Sequence, residues 1–409
     1  MICPVFPPQS TIGGLRAAMF SKYLVHYGWN PVVLARVYPP KDKKFQTGYF
    51  INGLPTKENF IPAFWGTEDE RKTINERKFH TRVRDFIKPD YTQPYGIINK
   101  MINVALKDIS KKNIDVIWAT APAQGYHTVA SFLSKRFDVP WIADYRDIPE
   151  QHKSEGFRNK LLALRVKYRR KQIVDTADAV VTVSRHHAYV LGNAFKRTVE
   201  VIRNGYDPES FKPIKNHFSE KFIINYMGRI VNKNVCNPDI LFKALDKLIE
   251  SNDLRLKDLS LNFYGTEGTI LSGMLKNYRC REVINIIDPI TYDKVPETLQ
   301  KSTINLLLTK NGRKGILTTK FFEYLAVNRP VLCVPEGSQE LTEIIQDTNS
   351  GVVCNTVEHT AQTLKKWYGE WQQTGTVKCS TNDNKITRYS RKEQAGQLAE
   401  LLSYVKHNI

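Results

Sequence analysis

What most constrains this chain is an alternation carried through both of its halves: short apolar runs, each followed by a stretch with helical spacing. In the first half the runs are Met1–Phe6, Asn30–Ala35, Asp115–Thr120, Trp141–Asp147, Ala179–Ser184 and Val199–Asn204. In the second they are Phe222–Arg229 and stretches at about 259–265, 283–288, 304–310, 330–334 and 351–354. Nearly continuous apolar runs read as strands buried on both faces, and the intervening helices are the crossovers that parallel strands require. The fold class is therefore α/β, with two doubly wound parallel-sheet domains of Rossmann-like type. Each offers its ligand-facing edge at the carboxyl ends of its strands. Gly205-Tyr-Asp-Pro-Glu-Ser-Phe-Lys-Pro213 has the composition of a hinge. The predicted domains are 1–208 and 209–387, with a last helix over about 388–409 packing back on the first. A chain of 409 residues is long enough for two cores, and a large polar substrate is expected in the crevice between them.

The stretch Gly315–Pro335 carries the most specific chemistry. Thr318 is positioned to cap a helix through its hydroxyl. Phe321, Phe322, Leu325 and Ala326 supply the buried face, Asn328 suits a left-handed residue at the helix end, and Pro330 stops the helix before Val331–Val334. Thr318, Thr319 and Lys320 then crowd the helix N-terminus, where free amides and the helix dipole favour a diphosphate. Glu323 lies one turn, about 5 Å, further along, where it could accept hydrogen bonds from a ribose diol. Lys320 and Glu323 could equally form a solvated ion pair.

Two other strand ends bear charge. Gly228-Arg229-Ile-Val-Asn-Lys233 follows the first strand of the second domain and would put two cations beside a leaving diphosphate; local ion pairing is the alternative. Asp144-Tyr-Arg146-Asp147 ends a strand of the first domain and suits sugar hydroxyls or a phosphate, or else a structural Arg–Asp network. Gly13-Gly14, after the first strand, permits close approach of backbone amides to an anion. His127, His186 and His187 receive no role. Residues 38–95 show no strong periodicity and are read as an irregular functional segment.

The remaining composition excludes more than it assigns. The six cysteines are scattered, with no metal-ligand spacing, and no apolar run reaches the length of a membrane span. No serine elbow, Walker loop or dinucleotide Gly-x-Gly-x-x-Gly is present. The net charge of +19 is dispersed and lacks any nucleic-acid-binding motif, so no nucleic-acid partner is expected. The stretch 157–172 interleaves Arg158, Lys160, Arg165, Lys167, Arg169, Arg170 and Lys171 with leucines. It is either a membrane-surface helix for anionic lipid or a solvated helix face.

The segments quoted, with Trp118–Pro122, Pro140–Asp147, Ala177–Ser184, Asn204-Gly205 and Lys320–Ala326, occur in an order and spacing that resemble bacterial glycosyltransferases of the GT-B fold, specifically glycosyltransferase family 4. That resemblance implies a retaining, metal-independent transferase without a cofactor. Its donor would be a nucleotide-diphosphate sugar, with UDP or GDP as the nucleotide. Its acceptor would be a glycan or lipid-linked glycan of cell-surface polysaccharide synthesis. The scattered cysteines point to the cytoplasm for the protein itself, with the basic stretch allowing a place on the inner face of the membrane. By position, Arg229 and Lys233 resemble the pair on the donor diphosphate, Gly13 and Gly14 the loop that closes on donor and acceptor, and Thr318 and Thr319 the phosphate-binding helix start. Glu323 resembles the ribose carboxylate. Arg229, Lys233, Arg146 and Asp147 are then the catalytic candidates, with Asp144 and Arg146 on the acceptor side. The family often has a further glutamate where this chain has Gly315, and many members have a histidine at Arg146. A sugar-nucleotide epimerase or a non-catalytic sugar-nucleotide binder are the alternatives.

Overall fold

The computed structural model describes residues 1–7, 12–37, 54, 57–64, 95–109, 113–121, 125–148, 167–213, 218–230, 236–309 and 314–408. They form two compact units, Met1–Arg203 with Arg391–Ile409, and Asn204–Ser390.

The first unit holds a seven-stranded parallel sheet of order β3-β2-β1-β4-β5-β6-β7. Its strands are β1 (Ile2–Cys3), β2 (Val33–Val37), β3 (Phe60–Phe64), β4 (Ile117–Ala121), β5 (Trp141–Tyr145), β6 (Ala179–Thr182) and β7 (Glu200–Val201). β4 and β5 are buried along their whole length, as their unbroken apolar sequences require. The chain winds outward from β1 through β2 to β3, then returns to β4 on the other side, so the switch point lies between β1 and β4. Between its strands lie α1 (Ile12–Leu24), α2 (Tyr95–Asp108) and α3 (Gly125–Phe137). α4 (Arg185–Phe195) follows β6, capped by the Ser184 hydroxyl accepting from the His187 amide. The C-terminal helix α12 (Arg391–His407) packs on α1, and Tyr27 donates to the Lys392 carbonyl at 3.1 Å.

One strand was not anticipated. β3 lies inside the segment read as irregular, and it pairs with β2 from Val33–Phe60 to Val37–Phe64. Pro62 weakens the strand signal in the sequence, yet at the sheet's edge a residue without an N–H is tolerated.

The second unit holds a six-stranded parallel sheet of order β10-β9-β8-β11-β12-β13. The strands are β8 (Phe222–Met227), β9 (Leu259–Tyr264), β10 (Ile284–Ile287), β11 (Ile304–Leu308), β12 (Val331–Val334) and β13 (Gly351–Val353). Between them run α5 (Asp239–Glu250), α6 (Gly268–Leu275), α7 (Val295–Gln300), α8 (Thr319–Ala326) and α9 (Gln339–Asp347); α10 (Val357–Thr374) and α11 (Asp383–Thr387) follow β13. Asn225, Asn262 and Asn285 form a side-chain amide ladder across β8, β9 and β10 at 2.9 and 2.8 Å, which favours one register. β8 and β11 are neighbours between which the winding reverses. The ligand crevice of such a sheet lies beyond the carboxyl ends at that point.

No helix among the described residues is long and apolar enough to cross a membrane.

Candidate active site

The carboxyl ends of β8 and β11 are met by the start of α8. Thr318 occupies the N-cap position with extended backbone (φ −75°, ψ 151°), as the sequence indicated, but its hydroxyl makes no capping hydrogen bond. The cap expected of that side chain is corrected: only the Thr318 carbonyl engages the first turn, accepting from the Phe321 amide at 3.2 Å. Thr318 is exposed and Thr319 half-buried. Asn204 donates to the Leu317 carbonyl at 3.3 Å, just ahead of the helix. At the far end Asn328 takes the left-handed conformation (φ 53°) and Pro330 leads into β12.

Within α8, Phe321, Phe322, Tyr324, Leu325 and Ala326 are buried. Tyr324 fixes the helix to β8, its hydroxyl accepting from the Met227 amide at 2.9 Å. Lys320 and Glu323 do not form a solvated pair. The Lys320 ammonium lies 4.6 Å from the centroid of the Tyr226 ring and 3.4 Å from its hydroxyl. Glu323 is 6% exposed and accepts from the Tyr292 hydroxyl at 2.8 Å. Desolvation pulls the Lys320 ammonium below the ordinary lysine range, against the opposing pull of Cys236 and Glu323. Cys236, Leu308, Thr309, Thr318, Lys320 and Gly337 are among the residues lining a cavity of about 160 Å³ at this corner.

Gly228 explains how the lysine fits. Its φ of 141° is one that side-chain-bearing residues avoid, and the place a Cβ would take there is filled by the end of the Lys320 side chain. Gly228 and Lys320 are thus brought into contact, with the Thr266 hydroxyl donating to the Gly228 carbonyl at 2.8 Å. Arg229, the next residue, is 66% exposed and ion-paired with Glu267, so the local pairing left open by the sequence is the arrangement present. Lys233 lies outside the described residues.

The corresponding edge of the first unit brings Arg146 to Gly13, whose carbonyl accepts from the guanidinium. A Cβ on Gly13 would sit 3.0 Å from Arg146 Nη2. Gly14 serves packing instead: a Cβ there would meet the Val5 carbonyl oxygen at 3.1 Å, so the residue lets α1 approach the end of β1. Arg146 is 3.7 Å from Asp147, itself 58% exposed. Burial lowers the Arg146 guanidinium from the ordinary arginine value, opposed by Asp147 and Asp144.

Asp144 is a correction. It is wholly buried, and both its oxygens are taken by Arg16, from Nε at 2.8 Å and from Nη2 at 2.9 Å. Arg16 also donates to the carbonyls of Arg203 and Ile202 at 3.0 and 2.9 Å. Asp144 therefore anchors, through Arg16, α1 to the segment just after β7, and cannot meet an acceptor. His127 is likewise internal, its Nε2 at 3.1 and 3.3 Å from the Ala119 and Asp144 carbonyls. Desolvation drives its pKa down to about 4, so the ring is neutral.

Of the basic stretch 157–172, the part before Lys167 lies outside the described residues. In the remainder Arg170 turns inward, 2% exposed with its guanidinium 5.2 Å from the Phe195 ring centroid, which corrects its place on a lipid-facing surface. Lys171 pairs with Asp175 at 2.7 Å, and Lys167 and Tyr168 are exposed.

A larger cavity of about 620 Å³ lies at the opposite edge of the first sheet, against α12, lined by Met1, Trp29, Val32, Ile117 and Leu402 among others. It adjoins none of the charged strand ends and is not the candidate site. Four residues that matter were missed by sequence reasoning: Arg16, Tyr226, Glu267 and Tyr292. An arginine inside the buried run Leu15–Phe20 is a signal in itself, because a cation there requires an acid partner. The tyrosines left no such sign.

With this geometry the relatives can be placed. Residues 16–210 match the family model of Glycosyltransferase Family 4. That match spans just under half of the chain. Solved structures similar over the full length include HepE from Anabaena in complex with UDP-glucose, at 14% identity, 98% coverage of each chain and a TM-score of 0.62. Sucrose-phosphate synthase from Thermosynechococcus elongatus matches at 12% identity, over 97% of this chain and 94% of that one, with a TM-score of 0.63. A putative UDP-N-acetylglucosamine 2-epimerase from Listeria monocytogenes follows at 12% identity, over 100% of this chain and 97% of that one, with a TM-score of 0.57. At these identities the likeness is one of fold, and the fold is GT-B. No curated protein matches the sequence. The family-matched region covers nearly all of the first unit up to the boundary at Arg203, and the Lys320–Glu323 cluster lies outside it.

Proposed function

We propose that this protein is a retaining, metal-independent glycosyltransferase. It moves a sugar from a nucleoside-diphosphate sugar to a hydroxyl of a glycan or lipid-linked acceptor in cell-surface polysaccharide synthesis. The observation that carries the reading is the contact of Gly228 with Lys320 at the switch point of the second sheet, with Glu323 one turn further along α8. The α8 amides and Lys320 take the diphosphate there, and Glu323 takes the ribose. Arg229, released from Glu267, adds a second charge, and Lys233 is a third candidate cation. These cations stabilise the diphosphate as the anomeric C–O bond breaks. The new C–O bond forms on the same face, and the acceptor's hydroxyl proton passes to the departing phosphate oxygen, so no protein nucleophile is needed. UDP is the favoured donor nucleotide because HepE, of the same fold, was solved with UDP-glucose. Arg146 and Asp147 are assigned to the acceptor side, with Gly13 holding Arg146 in place.

The protein is proposed to work in the cytoplasm, at the inner face of the membrane. Exposed Lys167 and Tyr168 beside the basic run support that placement. Salt-sensitive co-sedimentation with anionic vesicles is its test, and vesicle-independent behaviour excludes it.

The activity is tested by incubating the protein with UDP- and GDP-sugars and resolving the products. Released UDP or GDP with a glycosylated or hydrolysed sugar supports transfer. Conversion of the donor to its epimer, or donor binding without turnover, replaces this reading with the epimerase or the sugar-nucleotide binder.

A further inference from the structure

The two charged groups of α8 reach their positions through tyrosines that come from elsewhere in the fold. We infer that Tyr226 and Tyr292 are positioning residues of the donor site, Tyr226 setting the ammonium of Lys320 for the diphosphate and Tyr292 setting the carboxylate of Glu323 for the ribose. The inference rests on the reading of this corner as the donor site.

Lysine is a flexible point charge with several rotatable bonds, so a phosphate-binding lysine gains from a surface that limits where its ammonium can go. Tyr226 supplies that surface. It stands near the end of β8, fully buried, with its ring 5.5 Å from Phe263. Its face attracts the cation electrostatically, and its hydroxyl adds a polar contact at 3.4 Å. Gly228, two residues on, leaves the volume the ammonium occupies. The same strand end thus both holds the lysine and makes room for it.

Tyr292 begins the short helical turn Tyr292–Lys294 that follows β10. Its ring packs edge-on against Phe211 at 5.9 Å, which directs the hydroxyl at Glu323. A carboxylate with one oxygen committed to a fixed hydroxyl has its plane set before ligand arrives. A ribose diol then binds without first ordering the side chain. Tyr324 completes the arrangement by locking α8 to the Met227 amide.

The alternative is that both tyrosines merely fill the core, and a hydroxyl deletion separates the two. The experiment is a calorimetric titration of UDP, 2′-deoxy-UDP and inorganic pyrophosphate into wild type, Tyr292→Phe, Tyr226→Leu, Tyr226→Phe and Glu323→Ala, with thermal unfolding run on each to establish that it is folded at the assay temperature. Tyr292→Phe keeps the ring against Phe211. It should weaken UDP roughly tenfold, the worth of a hydrogen bond to a charged group. It should also shrink the preference for UDP over the deoxy analogue while leaving pyrophosphate unchanged. Tyr226→Leu should weaken pyrophosphate and UDP together by roughly fivefold, in keeping with a lost cation–π contact, and should keep the ribose preference. Tyr226→Phe, which retains the ring face, should stay close to wild type. The inference is overturned if Glu323→Ala weakens UDP while Tyr292→Phe does not, or if Tyr226→Leu binds pyrophosphate like wild type. In either case the donor-site reading survives. Wild type that binds none of the three ligands overturns the donor-site reading and the inference with it.

Discussion

Replacing Asp144 by alanine removes both acceptors of the Arg16 guanidinium, in a pair whose side chains are 2% and 0% exposed. Stripping one partner from a buried ion pair costs about 3–5 kcal/mol, because the remaining charge is left desolvated. Arg16 keeps its bonds to the Ile202 and Arg203 carbonyls, which places the loss near the lower end, about 3 kcal/mol. In a domain of roughly 200 residues each kcal/mol moves the midpoint by about 2–4 °C, so the first unit should melt about 6–12 °C lower. Differential scanning calorimetry reads this directly, with UDP present and absent to mark the transition of the second unit. The double replacement Arg16→Met with Asp144→Leu removes both charges and should recover much of the loss, since an apolar pair of similar volume carries no desolvation cost. Asp144→Ala with an unchanged midpoint and a raised acceptor KM would refute the structural assignment and return Asp144 to the substrate.

Three further outcomes follow from the same geometry. Gly228→Ala forces a side chain into a positive-φ position already filled by Lys320; diphosphate affinity should fall roughly tenfold for a strain and displacement cost of about 1–3 kcal/mol, measured by calorimetry. Because burial lowers the Lys320 pKa below 10.5, UDP affinity should fall as pH rises through that lowered value, earlier than for an ordinary lysine. Lys320→Arg should keep the charge and move the fall to higher pH. His127 has a folded pKa of about 4 against 6.5, so the unfolded chain takes the proton first. Stability should then decline as pH drops from about 6.5 to about 4, by about 3 kcal/mol, and His127→Gln should flatten that slope in a series of unfolding midpoints.

The strand–helix rhythm was legible because buried parallel strands carry their signal locally, as in Ile304–Leu308 and Val331–Val334, which are buried throughout. The C-terminal end of α8 was legible for the same reason, since Asn328 and Pro330 impose their backbone preferences without help from the rest of the fold. The partners were not. Arg16 and Asp144 are 128 residues apart, Tyr292 and Glu323 31 apart, and only the folded chain brings them together. Asp144 looked functional because it ends a strand beside Arg146, yet its neighbour in space is the one arginine inside the buried stretch of α1. β3 was hidden by Pro62, a residue that excludes central strands and is accommodated at an edge. The Thr318 hydroxyl shows the limit of cap rules: the residue takes the capping backbone conformation while its side chain forms no cap hydrogen bond.

A crystal structure with UDP bound tests the central claim most directly. The account predicts the pyrophosphate at the start of α8, within hydrogen-bond reach of Lys320 and of the backbone after Gly228, and the ribose hydroxyls on the Glu323 carboxylate. A nucleotide bound elsewhere, with no ribose hydroxyl on Glu323 and no phosphate near Lys320, would contradict it.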